Sequence, residues 1–143
     1  MKSQNTKLNG NLLIRIGIGL IFIWGGLEKF IPGFLGGPGL DGAIGFIGGV
    51  FGVSGIIATI MTVGLALTEL VAGVLLIAGK KLFETYAVLT LLLLVATVAV
   101  WIPAGFADMS GANNVTWVLV IMHVGLLLTL AGLALQERQN QIA

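Results

Sequence analysis

The sequence predicts an all-α integral membrane protein: a single transmembrane domain built as a four-helix bundle, with a short re-entrant or interfacial segment between helices one and two. Three observations carry that reading. Hydrophobic residues make up 57% of the 143 positions and charged residues only 9%, with mean hydropathy +1.09, far from the composition of a soluble domain. Four apolar runs, 11–31, 55–78, 82–101 and 115–135, each approach the roughly 20 residues that a bilayer core requires. The basic residues also sort by side: Lys2, Lys7, Arg15, Lys80, Lys81 and Arg138 share one face of a four-span chain and Lys29 falls opposite, which places both termini in the cytoplasm.

The elements follow in order. The first run closes at Ile31 and Pro32, and the Gly/Pro-rich stretch after it reads as a loop outside the cytoplasm. Residues 43–53 are apolar, too short to span and too rich in glycine for a strong helix, so an interfacial or re-entrant element is expected there. The second run ends in Gly79-Lys80-Lys81, a tight turn with glycine as helix C-cap. The third run ends at Trp101-Ile102-Pro103, a loop containing Asp108 follows, and Trp117 opens the fourth run. Trp101 and Trp117 are thereby expected at one interface, as in an aromatic belt. The polar tail 136–143 is expected to fray.

Helix faces sharpen the picture. Arg15, Gly19, Phe22, Gly26 and Lys29 recur at helical spacing, and fourteen residues at about 100° bring Lys29 to within about 40° of Arg15 around the axis. Ala58, Thr62, Ala66, Glu69 and Gly73 form a second stripe, small except for the glutamate. Small residues let membrane helices approach closely, so the two stripes are expected to face each other and enclose their charges. By backbone height Glu69 lies nearer Arg15 than Lys29. Side chains lean toward their helix N-terminus, however, which turns Lys29 and Glu69 toward one another and Arg15 away to the head groups.

A carboxylate within a span costs on the order of 3 kcal/mol to insert, and an intramembrane acid is a functional-site candidate by default. The packing alternative for Glu69 is an interhelical ion pair; for Lys29 it is interface anchoring. His123 stands about 12 Å into the last run, where an imidazole can donate, accept or pass a proton; bonding to a neighbour is its simpler reading. Tyr86, Thr90 and Thr97 lie near one face of the third run, where hydroxyls commonly bond backbone carbonyls. The many glycines read as packing contacts, since no strand precedes them to make a phosphate cradle. There is no cysteine, which removes dithiol chemistry and thiolate metal sites, and a net charge of +1 offers nothing to nucleic acid.

The run RIGIGLIFIWGGLEKF, a Gly-rich loop with a short apolar segment, and TELVAGVLLIAGKK together resemble the DoxX family of small four-helix membrane proteins. Arg15, the Gly26-x-x-Lys29 pair, Glu69-Leu70 and Gly79 carry the resemblance, which covers the first two runs. Members often have a histidine before the glycine of the lysine motif, where this chain has Gly25. The resemblance implies a bacterial or archaeal cytoplasmic membrane and a subunit of a quinone-linked redox system, partnered by a soluble or membrane oxidoreductase.

On that basis a quinone or similar lipophilic ligand is expected at an intramembrane polar site of Lys29, Glu69 and His123, lined by Phe22, Trp24, Gly26, Thr62, Ala66 and Gly73, with Arg15 at the cytoplasmic side. No metal or flavin is expected, and the chain cannot move electrons unaided. Membrane lipids and a second copy of the chain are the remaining partners envisaged. Two other classes stay open: a proton-coupled small exporter of hydrophobic cations, and a structural or assembly subunit without ligand.

Overall fold

The computed structural model describes residues 10–107 and 115–142; Lys2, Lys7, Asp108 and Asn113 lie outside them. All regular structure among the described residues is helical: α1 (Gly10–Phe30), a short 3₁₀ turn (Phe34–Gly36), α2 (Gly39–Phe51), α3 (Gly55–Ala78), α4 (Leu82–Ala96), a π-helical segment (Thr97–Trp101), α5 (Ile102–Ala107) and α6 (Val115–Ile142). Five helical stretches are long and apolar enough to cross a membrane. Together with the family match given below, this makes the chain a multi-pass membrane protein.

The count differs from the four helices expected. The additional stretch is Phe34–Phe51, where the 3₁₀ turn and α2 follow one another. Its glycines do not prevent helix formation, because Ala43 and Ile47 give α2 a face to bury and packing outweighs intrinsic propensity. Two other boundaries move. The third run continues past Pro103 to Ala107. Pro103 has no N–H to give the carbonyl four residues back, and the chain absorbs the defect by widening: the Ile102 N–H bonds Thr97 O, five residues back. The polar tail does not fray at Gln136 but stays helical to Ile142, since Gln, Glu and Arg are good helix formers.

By Cα proximity the chain divides into two compact units. The first holds α1, the beginning of α2, and α3; its packing is α1 against α3. Thr62 and Ala66 are fully buried and Gly73 is buried, while Leu20, Ile60, Leu67 and Val71 are exposed. That arrangement, small residues inward and large aliphatics outward, is the one a hydrocarbon solvent selects. α3 stops at Gly79, whose left-handed φ of 69° suits a residue without Cβ. There the Lys80 N–H bonds Leu75 O at 3.0 Å and the Gly79 N–H bonds Leu76 O at 3.1 Å, a Schellman closure.

The second unit holds the end of α2, α4, the π segment, α5 and α6, with α4 packed on α6 through Leu89, Leu93, Leu130 and Ala134. Thr90 and Thr97 donate to Tyr86 O and Leu93 O of their own helix. The longer third run also moves the aromatic residues. Phe106 meets Trp117 edge to face at 5.5 Å, whereas Trp101 stacks on His123. Trp101 therefore lies against a different turn of α6 from the one that carries Trp117.

Candidate functional site

The α1/α3 contact is built from backbone outward. A Cβ added at Gly73 would stand 2.6 Å from Gly19 O, and one at Gly26 would stand 2.7 Å from Ala66 O. Only glycine fits at either place, so the two helices touch backbone to backbone along this seam. The seam fixes the height of one helix against the other and brings two charged side chains into register. Lys29 Nζ donates to Glu69 Oε2 at 2.8 Å and to Gly25 O, one turn back on its own helix, at 2.6 Å. The side chains of Lys29 and Glu69 are only 14% and 15% exposed, and opposite charges so close in a poorly polarisable setting attract strongly.

Two further residues complete the cluster. Glu28 brings Oε1 to 3.7 Å from Lys29 Nζ, so two carboxyl groups attend one ammonium. Gly25 faces the acid directly. The three nearest atoms to a Cβ there would all belong to the Glu69 carboxylate, Oε2 first at 3.6 Å. At position 25 the chain thus puts no side chain between the α1 backbone and the carboxylate. The spacing of α1 marks Gly25 as neighbouring Lys29, but only the interhelical register reveals that it confronts Glu69.

Arg15 occupies the other end of the same helix pair. Its Nε donates to Leu76 O at 3.0 Å and its Nη2 to Ile77 O at 3.4 Å, and a Cβ at Gly79 would stand 2.7 Å from Nη2. Rather than leaning away to the head groups, the guanidinium caps the last carbonyls of α3, where a cation complements the helix dipole. The glycine that ends α3 also makes room for it.

The remaining predicted residues divide. Phe22, Gly26, Thr62, Ala66 and Gly73 are buried, and the Thr62 hydroxyl is spent on Ala58 O at 2.8 Å, so these form the seam and present no polar atom to a ligand. Trp24 is 40% exposed. His123 belongs to the second unit and has its partners there: its Nδ1 lies 2.7 Å from Leu119 O and its ring centroid 4.6 Å from that of Trp101. Because a carbonyl only accepts, Nδ1 carries the proton and Nε2 is the nitrogen left for other use. On the flank of α3, immediately after Glu69, Leu70, Val71, Val74 and Leu75 line an apolar groove of about 240 Å³.

Comparison with known proteins adds one match. No curated protein and no solved structure is similar enough to match. The family model for DoxX does, over residues 10–102, which reaches beyond the first two runs to take in α4 and the π segment. Arg15, Gly25, Gly26, Lys29, Glu69 and Gly79 all lie inside it, and His123 lies outside. With about two thirds of its length covered by that model, the chain belongs to the DoxX family.

Proposed function

We propose that this protein is the membrane subunit of a quinone-linked redox system and binds a quinone or similar lipophilic ligand at the Lys29–Glu69 pair. The observation that carries the proposal is the Lys29–Glu69 ion pair itself, closed at 2.8 Å with side chains only 14% and 15% exposed, beside Gly25, which sets no side chain over the carboxylate. The residues suit such a ligand: Lys29 offers a donor to a carbonyl oxygen, Glu69 an acceptor for a ring hydroxyl or its proton, and the groove beginning at Leu70 a path for an apolar tail. When bound, a quinone supplies the electron-accepting chemistry that the chain lacks, and the electrons come from a partner oxidoreductase. The chain's own part is to hold the ring, keep water away and place a proton acceptor beside the ring's oxygen.

One observation favours a second reading. Two carboxyl groups around one ammonium leave an acidic excess when both are ionised, and that excess suits a hydrophobic cation. Melting of the purified protein with a short-chain quinone analogue, and separately with tetraphenylphosphonium, separates the two. The quinone analogue at a hundred times its Kd is expected to stabilise by about 2.7 kcal/mol, Gly25→Ala to leave the shift intact, and Gly25→Leu and Glu69→Gln to remove it. A saturable shift with tetraphenylphosphonium alone supports the exporter instead. An undiminished quinone shift in both Gly25→Leu and Glu69→Gln eliminates this site.

The topology proposed with this function has four crossings and both termini cytoplasmic, with 34–51 turned back into the membrane face it left. Of the 18 residues in 34–51 only the 13 of α2 are continuous α-helix, about 20 Å against a core of about 30 Å, so α2 by itself falls short of a crossing. Reporter fusions after Lys81 and at Arg138 are expected to read cytoplasmic and one at Asn113 outside. An outside signal at Lys81 or a cytoplasmic signal at Asn113 would overturn this topology.

A further inference from the structure

The second unit carries a groove that the quinone reading does not use. It is about 380 Å³ in volume, within the roughly 300–1,000 Å³ typical of ligand pockets, and is walled by Phe83, Ala87, Leu91 and Leu94 of α4 and Ala131 and Leu135 of α6, among others. Its wall is apolar almost throughout. Thr90 contributes the one hydroxyl, and that is already donated to Tyr86 O at 2.7 Å. The single charged residue in the lining is Arg138, at the end where α4 begins.

We propose that this groove is a binding site for an anionic phospholipid, with an acyl chain lying along the alanines and the head-group phosphate on Arg138. Three features support it. The groove opens on a helix pair in a membrane protein, so a hydrocarbon chain is its natural filling. Arg138 is exposed and makes no ion pair among the described residues; a guanidinium holds a phosphate through two parallel hydrogen bonds. Lys81, exposed at the first residue before α4, adds a second cation at the same end of that helix. Glu84 and Glu137 stand nearby in sequence, but neither lines the groove, so the charge that a bound head group meets first is positive. A zwitterionic lipid brings its own cation to that place and gains less.

The full-length protein in neutral detergent, titrated with phosphatidylglycerol and with phosphatidylcholine of identical chains, tests this through native mass spectrometry of bound lipid. Phosphatidylglycerol is expected to bind about fivefold more tightly, the effect of one basic residue at an anionic surface. Arg138→Gln, at an exposed position that leaves the packing untouched, is expected to lower that preference, and Arg138→Gln with Lys81→Gln to erase it, while chain binding persists. Ala131→Leu, which fills the groove, is expected to reduce both lipids alike. Equal affinity for the two lipids in the unaltered protein overturns the proposal. So does an Ala131→Leu variant that keeps its lipid and instead changes its oligomeric state, which would make the groove a seat for a second copy of the chain.

Discussion

Lys29→Met is expected to destabilise the protein by about 3 kcal/mol, the lower end of the cost of breaking a buried ion pair by removing one partner. Methionine keeps the length and the apolar stem, so packing changes little, but Glu69 is left with no ammonium at 2.8 Å and must be buried either as an unpaired ion or as a protonated acid. Glu69→Gln costs less, about 1 to 2 kcal/mol. Its amide oxygen still accepts from Lys29, and Lys29 keeps Gly25 O at 2.6 Å and Glu28 at 3.7 Å; the loss is the difference between a charge-assisted and a neutral hydrogen bond. The double variant is expected to recover part of the summed loss, with a coupling of roughly 1 to 3 kcal/mol. Reversible unfolding in mixed micelles measures all four proteins, and strict additivity would show that the two groups do not interact.

A larger effect is expected from one methyl group on the seam. At Gly73 an alanine Cβ would lie 2.6 Å from Gly19 O and 3.0 Å from Ile23 N, and backbone cannot swing aside as a side-chain tip can. The helices have to separate, at a cost at or above the roughly 1 to 3 kcal/mol of an overpacked core. Glu69 lies one turn from Gly73 on the same face, so separation also pulls the carboxylate off Lys29 and adds the loss of the pair. Gly26→Ala meets Ala66 O at 2.7 Å and should behave alike. Gly17→Ala and Gly64→Ala serve as controls, since nothing stands within 4 Å of their added carbons; helix propensity predicts that they gain up to about 1 kcal/mol. If Gly73→Ala unfolds like Gly64→Ala, the helices do not meet where the structure puts them.

How much of this was legible in the sequence depends on the range of the interaction. The span Gly55–Ala78 is bounded in the structure as the hydropathy and Gly79 bound it in the sequence, because both signals are local. The stripe of Gly19 and Gly26 is readable too, since spacing alone puts small residues on one face. Local reasoning fails where a distant partner decides. Glycine content argues against α2, but burial of Ala43 and Ile47 outweighs it. Pro103 looks like a stop until the π segment absorbs it. Side-chain lean sends Arg15 toward the head groups, yet the last carbonyls of α3 hold it. The ring beneath His123 and the meeting of Gly25 with Glu69 depend on which turn of one helix lies beside which turn of another, and periodicity along one chain carries no such information.

The pairing of α1 with α3 also has a consequence in time. Lys29 is synthesised forty residues before Glu69, and Arg15 sixty-one before the carbonyl of Leu76 that receives it. At about 5 to 20 residues per second, the lysine waits some 2 to 8 seconds for its counter-ion. Throughout that interval α1 carries Arg15 without the carbonyls that receive it and Lys29 with only the more distant Glu28, at 3.7 Å, beside it. Its entry into the bilayer is therefore provisional until α3 emerges, and the two helices become permanent together. A nascent chain arrested before Glu69 should remain extractable by alkali where one arrested after Lys81 does not, which would make the acid a signal for the moment at which the first half of the protein commits to the membrane.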